Sequence, residues 1–360
     1  MARICKWVVI LLLLAIAAGG YSVWRRLDTR VKGLLLPDIG LYAGYPDLPE
    51  RTQGVRLTPF TVKGWDGNEV QACIVTKAEG SEGLTPRQQV LAEQIKGESL
   101  GELSELDYAL VCVNWDHGIR SALPLAESLA AAGVKCVLWE PRGAGSVRPY
   151  CTHGVQERRD VPAIIDALEQ REGREGLLIA GVGEGYGAEL LLHAAAAEGR
   201  LRSVAVSDAA ASLTRILKRG KSSTPTRELI SWRMNQLTGL EPFDIAAVKS
   251  ASLLPRETPV LILYTGRREP SSEAEDAVAI FTQLPGEHKQ LMMLRSAKDA
   301  PDASVRQVVY VVEGGTREVV HREEATLIDN AEQVPVVILR WLNDHIKTMH
   351  EEPPPDHLAP

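Results

Sequence analysis

The chain has 360 residues, of which 45% are hydrophobic and 24% charged, which suits one large α/β core or two smaller domains and excludes a disordered protein. A formal net charge of −7 with only 5% aromatic residues leaves no basic stripe and no stacking platform, so nucleic acid is not an expected partner. Cys5, Cys73, Cys112, Cys136 and Cys151 show neither CxxC pairing nor disulfide density, so no metal cluster and no cofactor is expected from them.

The N-terminus carries Arg3 and Lys6, then an uncharged run from Trp7 to Trp24 long enough to span a bilayer, with a tryptophan at each end. A membrane anchor is therefore predicted over residues 1–30, with the lipid bilayer as partner through residues 7–24. Ala15-Ile16-Ala17 offers the alternative of a cleaved signal peptide. The side of the membrane is open, because Arg25, Arg26, Arg30 and Lys32 outnumber the charges ahead of the span. Residues 31–54 read as a linker.

From Val55 to Ala78 apolar and polar residues alternate around Trp65-Asp66-Gly67-Asn68, a β-hairpin signature. Residues 79–107 are polar and charged and read as a surface insertion. Beyond them, short continuous apolar runs (YALVCVNW, VKCVLWE, LLIAG, SVAVSD) alternate with amphipathic helical segments. This rhythm predicts an α/β fold with a mostly parallel sheet covered on both faces. It breaks at 213–252, a basic, polar, helical stretch that reads as a cap. It resumes with PVLILYTG, a helix, strand KQLMML, strand VRQVVYVVEG and a last helix AEQVPVVILRWLNDHI. One domain over 55–348 and a disordered, proline-rich tail over 349–360 complete the division.

Four motifs follow one another at strand ends: Asp116-His117-Gly118; Arg142-Gly143-Ala144-Gly145-Ser146; the glycine-rich elbow within LLIAGVGEGYGAELLLHAAA (Leu177 to Ala196); and Phe243-Asp244 leading into PVLILYTGRREP. In this order they resemble the α/β-hydrolase fold family over roughly Val55 to Ile346. The resemblance implies a G-x-S-x-G elbow that lifts a serine above the sheet. The matching residues are Gly181-Val182-Gly183-Glu184-Gly185, which puts Gly183 at the nucleophile position. Shifting the frame by two makes Gly185 the central residue, and neither register supplies oxygen or sulfur.

The resemblance further implies an acid at Glu269 and a base position occupied by Arg317, whose guanidinium cannot accept a proton. His321, four residues on, is a candidate displaced base. Oxyanion donors are implied at the backbone N–H of Glu184 and, after His117-Gly118, at Ile119. His117 reads as a turn residue or as half of a water-activating dyad with Asp116 or Glu184. Ser146 and Ser207 also end strands on this edge, but neither stands in an elbow.

A phosphate reading competes, since Gly183-x-Gly185-x-x-Ala188 fits a dinucleotide fingerprint and Asp208 ends the next strand. The sequence thus leads to a membrane-anchored protein of α/β-hydrolase fold, non-catalytic or catalytically atypical, that acts by binding an unknown small-molecule or protein ligand. The alternatives are an active hydrolase of ester, thioester or peptide bonds with a displaced site, and dinucleotide binding.

Overall fold

The computed structural model describes residues 2–35, 51–78 (53 excepted), 100–112, 118–140, 150–219, 223–265 (242 excepted), 272–294, 306–313, 316–323 and 330–351, with positions 89, 91 and 95 besides. An eleven-stranded sheet organises them, in the order β1-β2-β3-β5-β4-β6-β7-β8-β9-β10-β11. The antiparallel strands β2 (Val55–Lys63) and β3 (Glu69–Lys77) form the expected hairpin, and β1 (Arg51–Thr52) adds to its outer edge. Gly67, at φ 80, closes the hairpin turn by donating its N–H to the Gly64 carbonyl at 2.9 Å. β4 (Tyr108–Cys112), β5 (Cys136–Trp139), β6 (Ile179–Glu184), β7 (Leu201–Ser207), β8 (Val260–Thr265) and β9 (Lys289–Leu294) run parallel. β4 and β5 are buried at every position, as a sheet covered on both faces requires.

Helices cover both faces. On one, α2 (Gly118–Ala131) and the last helix, α9 (Asn330–Glu351), close a cluster that includes Leu129, Leu138, Val182, Leu263, Leu339 and Leu342. On the other lie α3 (Val161–Glu172), α4 (Tyr186–Ala195), the short α7 (Ala247–Ala251) and α8 (Ser272–Gln283), around Ile165, Leu168, Ile179, Leu190 and Ile280. Each such fully buried side chain contributes about 1.5 to 3 kcal/mol relative to exposure. α5 (Leu213–Arg219) and α6 (Thr224–Thr238) precede α7 between β7 and β8, in the stretch read as a cap.

Three features differ from the sequence reading. First, the N-terminal segment is one helix, α1 (Ala2–Leu35), that continues past residue 30 into the expected linker. Its last turns bury Leu27, Val31 and Leu35 against Leu213, Leu217, Ile230, Met234 and Ile245 of the cap region. The side chains of residues 2–18, on which most of the predicted span falls, lie outside the described residues. Among the described residues no helix is long and apolar enough to cross a membrane.

Second, the stretch read as a surface insertion sends Leu91, Leu103 and Leu106 into the core, where Gly101–Glu105 forms a 3₁₀ turn against α9. Third, the last parallel strand is β9. Beyond it an antiparallel hairpin, β10 (Arg306–Glu313) and β11 (Thr316–Glu323), extends the sheet outward.

Candidate functional site at the elbow between β6 and α4

β6 ends at Glu184 and α4 begins at Tyr186, so Gly185 alone makes the turn. Its φ of 56° and ψ of −119° form a combination that costs a residue bearing a side chain about 1 to 3 kcal/mol. The turn is tied on both sides. Gly185 donates its N–H to the Ser207 carbonyl at 2.8 Å and accepts from the Glu189 N–H at 3.3 Å.

The apex is therefore Gly185, and Gly183 has a different role. A Cβ on Gly183 would lie 2.7 Å from both the Ala188 nitrogen and the Gly187 oxygen, a clash with backbone that cannot swing aside. Gly183 lets α4 start hard against the strand. With the apex at Gly185, the first backbone N–H beyond it belongs to Tyr186, which takes the place expected for Glu184.

Glu184 instead ends its strand beside β7, in register with Ser207. Burial, and then the neighbouring Asp208 carboxylate, push the Glu184 carboxyl above its ordinary range. Asp208 itself has a positive φ of 52°, donates its N–H to Leu263 at 3.0 Å and accepts from the Ser207 hydroxyl at 3.2 Å. Two carboxylates thus end adjacent strands next to the elbow. Ser207 is buried with its hydroxyl engaged by Asp208, which suits a turn residue rather than a nucleophile.

The other expected site residues fall elsewhere. His117, Asp116, Ser146 and Glu269 lie outside the described residues. Gly118 and Ile119 open α2, and the Ile119 side chain is buried in the core. Arg317 and His321 belong to β11, opposite Val312 and Val308 of β10. At ~4.8 Å per strand, five strand spacings put β11 some 24 Å across the sheet from β6, too far for His321 to serve the elbow. Between β9 and β10 the sequence 295–305 contains no histidine. Arg317 therefore follows the antiparallel strand β10, one strand beyond the last parallel strand.

Beneath the elbow lies a buried polar cluster that sequence reasoning missed. The Glu157 carboxylate accepts from the Thr152 N–H at 2.7 Å, the Thr152 hydroxyl at 2.6 Å and the Gly154 N–H at 2.9 Å. Burial raises its pKa despite these donors. His153 holds its Nδ1 3.4 Å from Glu189 Oε2 and its Nε2 3.2 Å from the Leu34 carbonyl at the end of α1. Burial opposes its charged form, yet the Glu189 carboxylate, together with the Leu34 carbonyl and Glu157, raises its pKa on balance. Burial pushes both the Tyr186 hydroxyl and the Cys151 thiol well above their ordinary values.

Such protonated, enclosed thiols are poor nucleophiles, and the same holds for Cys112, opposite Gly183 in the sheet, whose pKa burial and then Glu157 also raise. The cluster is spread along the sequence from Cys151 to Glu189, with no motif to mark it. His153 and Glu189 stand thirty-six positions apart.

No protein-family model and no curated protein matches the sequence. Among solved structures, an esterase of Pyrococcus furiosus is 12% identical, covering 83% of this chain and 96% of its own, with a TM-score of 0.53. Acetyl xylan esterase from Paenibacillus sp. R4 is 16% identical, over 75% of this chain and 86% of its own, with a TM-score of 0.46. Brefeldin A esterase, a bacterial homologue of human hormone sensitive lipase, is also 16% identical, over 77% and 79%, with a TM-score of 0.46. The likeness to the Pyrococcus enzyme shows the fold: this chain has the α/β-hydrolase architecture.

Proposed function

We propose that the protein is a relative of the ester hydrolases whose sheet edge binds a ligand without forming an acyl-enzyme. One observation carries this reading: the residue at the elbow apex is Gly185, with no oxygen or sulfur to attack a carbonyl. The absence of histidine from the sequence between β9 and β10 supports it, because a serine placed elsewhere would still lack a base from that stretch. In this reading the Ser-to-Gly change of the hydrolase elbow falls on Gly185. Fold alone does not name the ligand. The reading includes a single-pass anchor over residues 7–24, supported by the uncharged run and its flanking Trp7 and Trp24.

A second reading is hydrolysis of an ester by water. Glu184, with its carboxyl pKa raised by burial and by Asp208, would take a proton from water as the resulting hydroxide attacks the carbonyl. The alkoxide then leaves with that proton. The neighbour of like fold is an esterase, and in this respect the comparison favours the second reading over the first.

The full chain, assayed on p-nitrophenyl acetate and with a fluorophosphonate probe, separates the two. Ligand binding alone predicts background release and no labelling. Water activation predicts turnover without labelling, reduced about 10²-fold or more in Glu184→Gln. Probe attached to any serine overturns both.

A further inference from the structure

We infer that α6 of the cap, together with the exposed face of α1, forms a docking surface for an anionic lipid bilayer. The inference rests on the reading of residues 7–24 as an anchor and goes beyond it by fixing which face of the protein meets the membrane.

The two helices are locked together. Asp28 of α1 accepts from Arg233 Nη2 at 2.7 Å and pairs with Lys32 at 2.7 Å, and these partners hold its carboxyl below the ordinary range. Both helices end on the same stretch: Cys151 donates its N–H to the Leu35 carbonyl at 2.7 Å, and Gln156 donates to the Thr238 carbonyl at 3.3 Å. Their N-terminal halves therefore extend to the same side of the molecule. There Trp24, the last residue of the uncharged run, meets Trp232 edge to face at 5.8 Å, with the Arg233 guanidinium 5.0 Å above the Trp24 ring.

This pair is not buried. Tyr21, Val23, Trp24, Leu229 and Trp232 are all among the exposed large hydrophobic residues, and Leu229 precedes Trp232 by three positions, on the same helix face. Tryptophan with one apolar and one polar end favours the membrane–water boundary. Trp232 thus stands at the depth that Trp24 would occupy.

Charge agrees with that occupant. Between 213 and 238 the chain holds Arg215, Lys218, Arg219, Lys221, Arg227 and Arg233 against Glu228 alone, within a protein of net charge −7. Arg215 and Arg219 are engaged by Asp276, and the exposed charge beside the aromatic pair comes from Lys218 with Arg25 and Arg26 of α1. Exposed aromatic and aliphatic side chains beside concentrated positive charge match an anionic lipid surface.

The test uses the full chain reconstituted in vesicles of phosphatidylcholine, with and without phosphatidylserine, doped with a diazirine-bearing lipid. After irradiation, peptides carrying lipid are identified by mass spectrometry. The expected result is labelling over 224–238 several-fold above that at Trp65, an exposed tryptophan on the β2–β3 hairpin, and stronger with phosphatidylserine. L229S/W232S should float with the vesicles as the parent does while losing that labelling. A floating chain labelled at 224–238 no more than at Trp65, or equally in both lipid mixtures, overturns the docking surface and leaves the anchor standing. A chain that does not float overturns both.

Discussion

Gly183 and Gly185 sit two positions apart and are required for different reasons. Gly185 supplies a turn at φ 56°, whereas Gly183 supplies an approach of α4 that leaves no room for a methyl group. Gly183→Ala should therefore cost about 1 to 3 kcal/mol, the range for overpacking, and lower the melting temperature by several degrees. A melting temperature equal to the parent's would show that α4 starts further from the strand than described.

His193 gives a second residue-level expectation. It is buried with Nδ1 2.7 Å from the Ser250 hydroxyl, and burial, then the nearby Arg158 charge, depress its pKa to about 3. Its folded-state pKa is below the unfolded one, so the unfolded chain takes up a proton from about pH 6.5 downward while the folded chain stays neutral. Stability should fall as the pH drops from 7 to 5, by about 2 kcal/mol from this group. Urea melts of His193→Gln at the two pH values should show a correspondingly smaller drop. His153 works in the opposite sense, its raised pKa stabilising at low pH, and it does so in both proteins.

At the scale of elements, the central strands were legible because burial on both faces leaves an uninterrupted apolar run, as in YALVC and CVLW. The elbow was legible as a strand, glycines and a helix. Its frame was not: Gly181, Gly183, Gly185 and Gly187 alternate, so the same letters fit two registers, and only backbone angles and the approach of α4 choose between them. The docking of α1 left no local trace either, since Asp28 and Arg233 are 205 positions apart. Val31, fully buried in that contact, is the residue to test. Val31→Asp would place a charge in an apolar cluster, and hydrogen exchange should then reach the backbone of 24–35 and 224–238 while β4, β6 and β7 stay protected. Protection lost across the whole sheet would instead mean that α1 is part of the global folding unit.

For the molecule as a whole, the order of strands and helices comes from the alternation in the sequence, and the structural likeness to the Pyrococcus esterase agrees with it. The extent of the sheet does not. RQVVYVVE reads as well for a closing parallel strand as for half of an outer antiparallel hairpin, because both need alternating β-branched residues. That ambiguity displaced the expected base to Arg317 and His321. The acid position, Glu269, and the donor loop around His117 lie outside the described residues, so the site is built from the elbow, its two carboxylates and the polar cluster beneath.

The contact between α1 and the cap also orders events in time. α1 is made before its partners at 151–156 and 213–245, so at a synthesis rate of ~5 to 20 residues per second roughly 10 to 40 s separate Asp28 from Arg233. Through that interval Leu27, Val31 and Leu35 lack the cap residues they pack against. A segment made early is thus seated late against the cap, and the carbonyls of Leu34 and Leu35 complete the polar cluster by meeting His153 and Cys151.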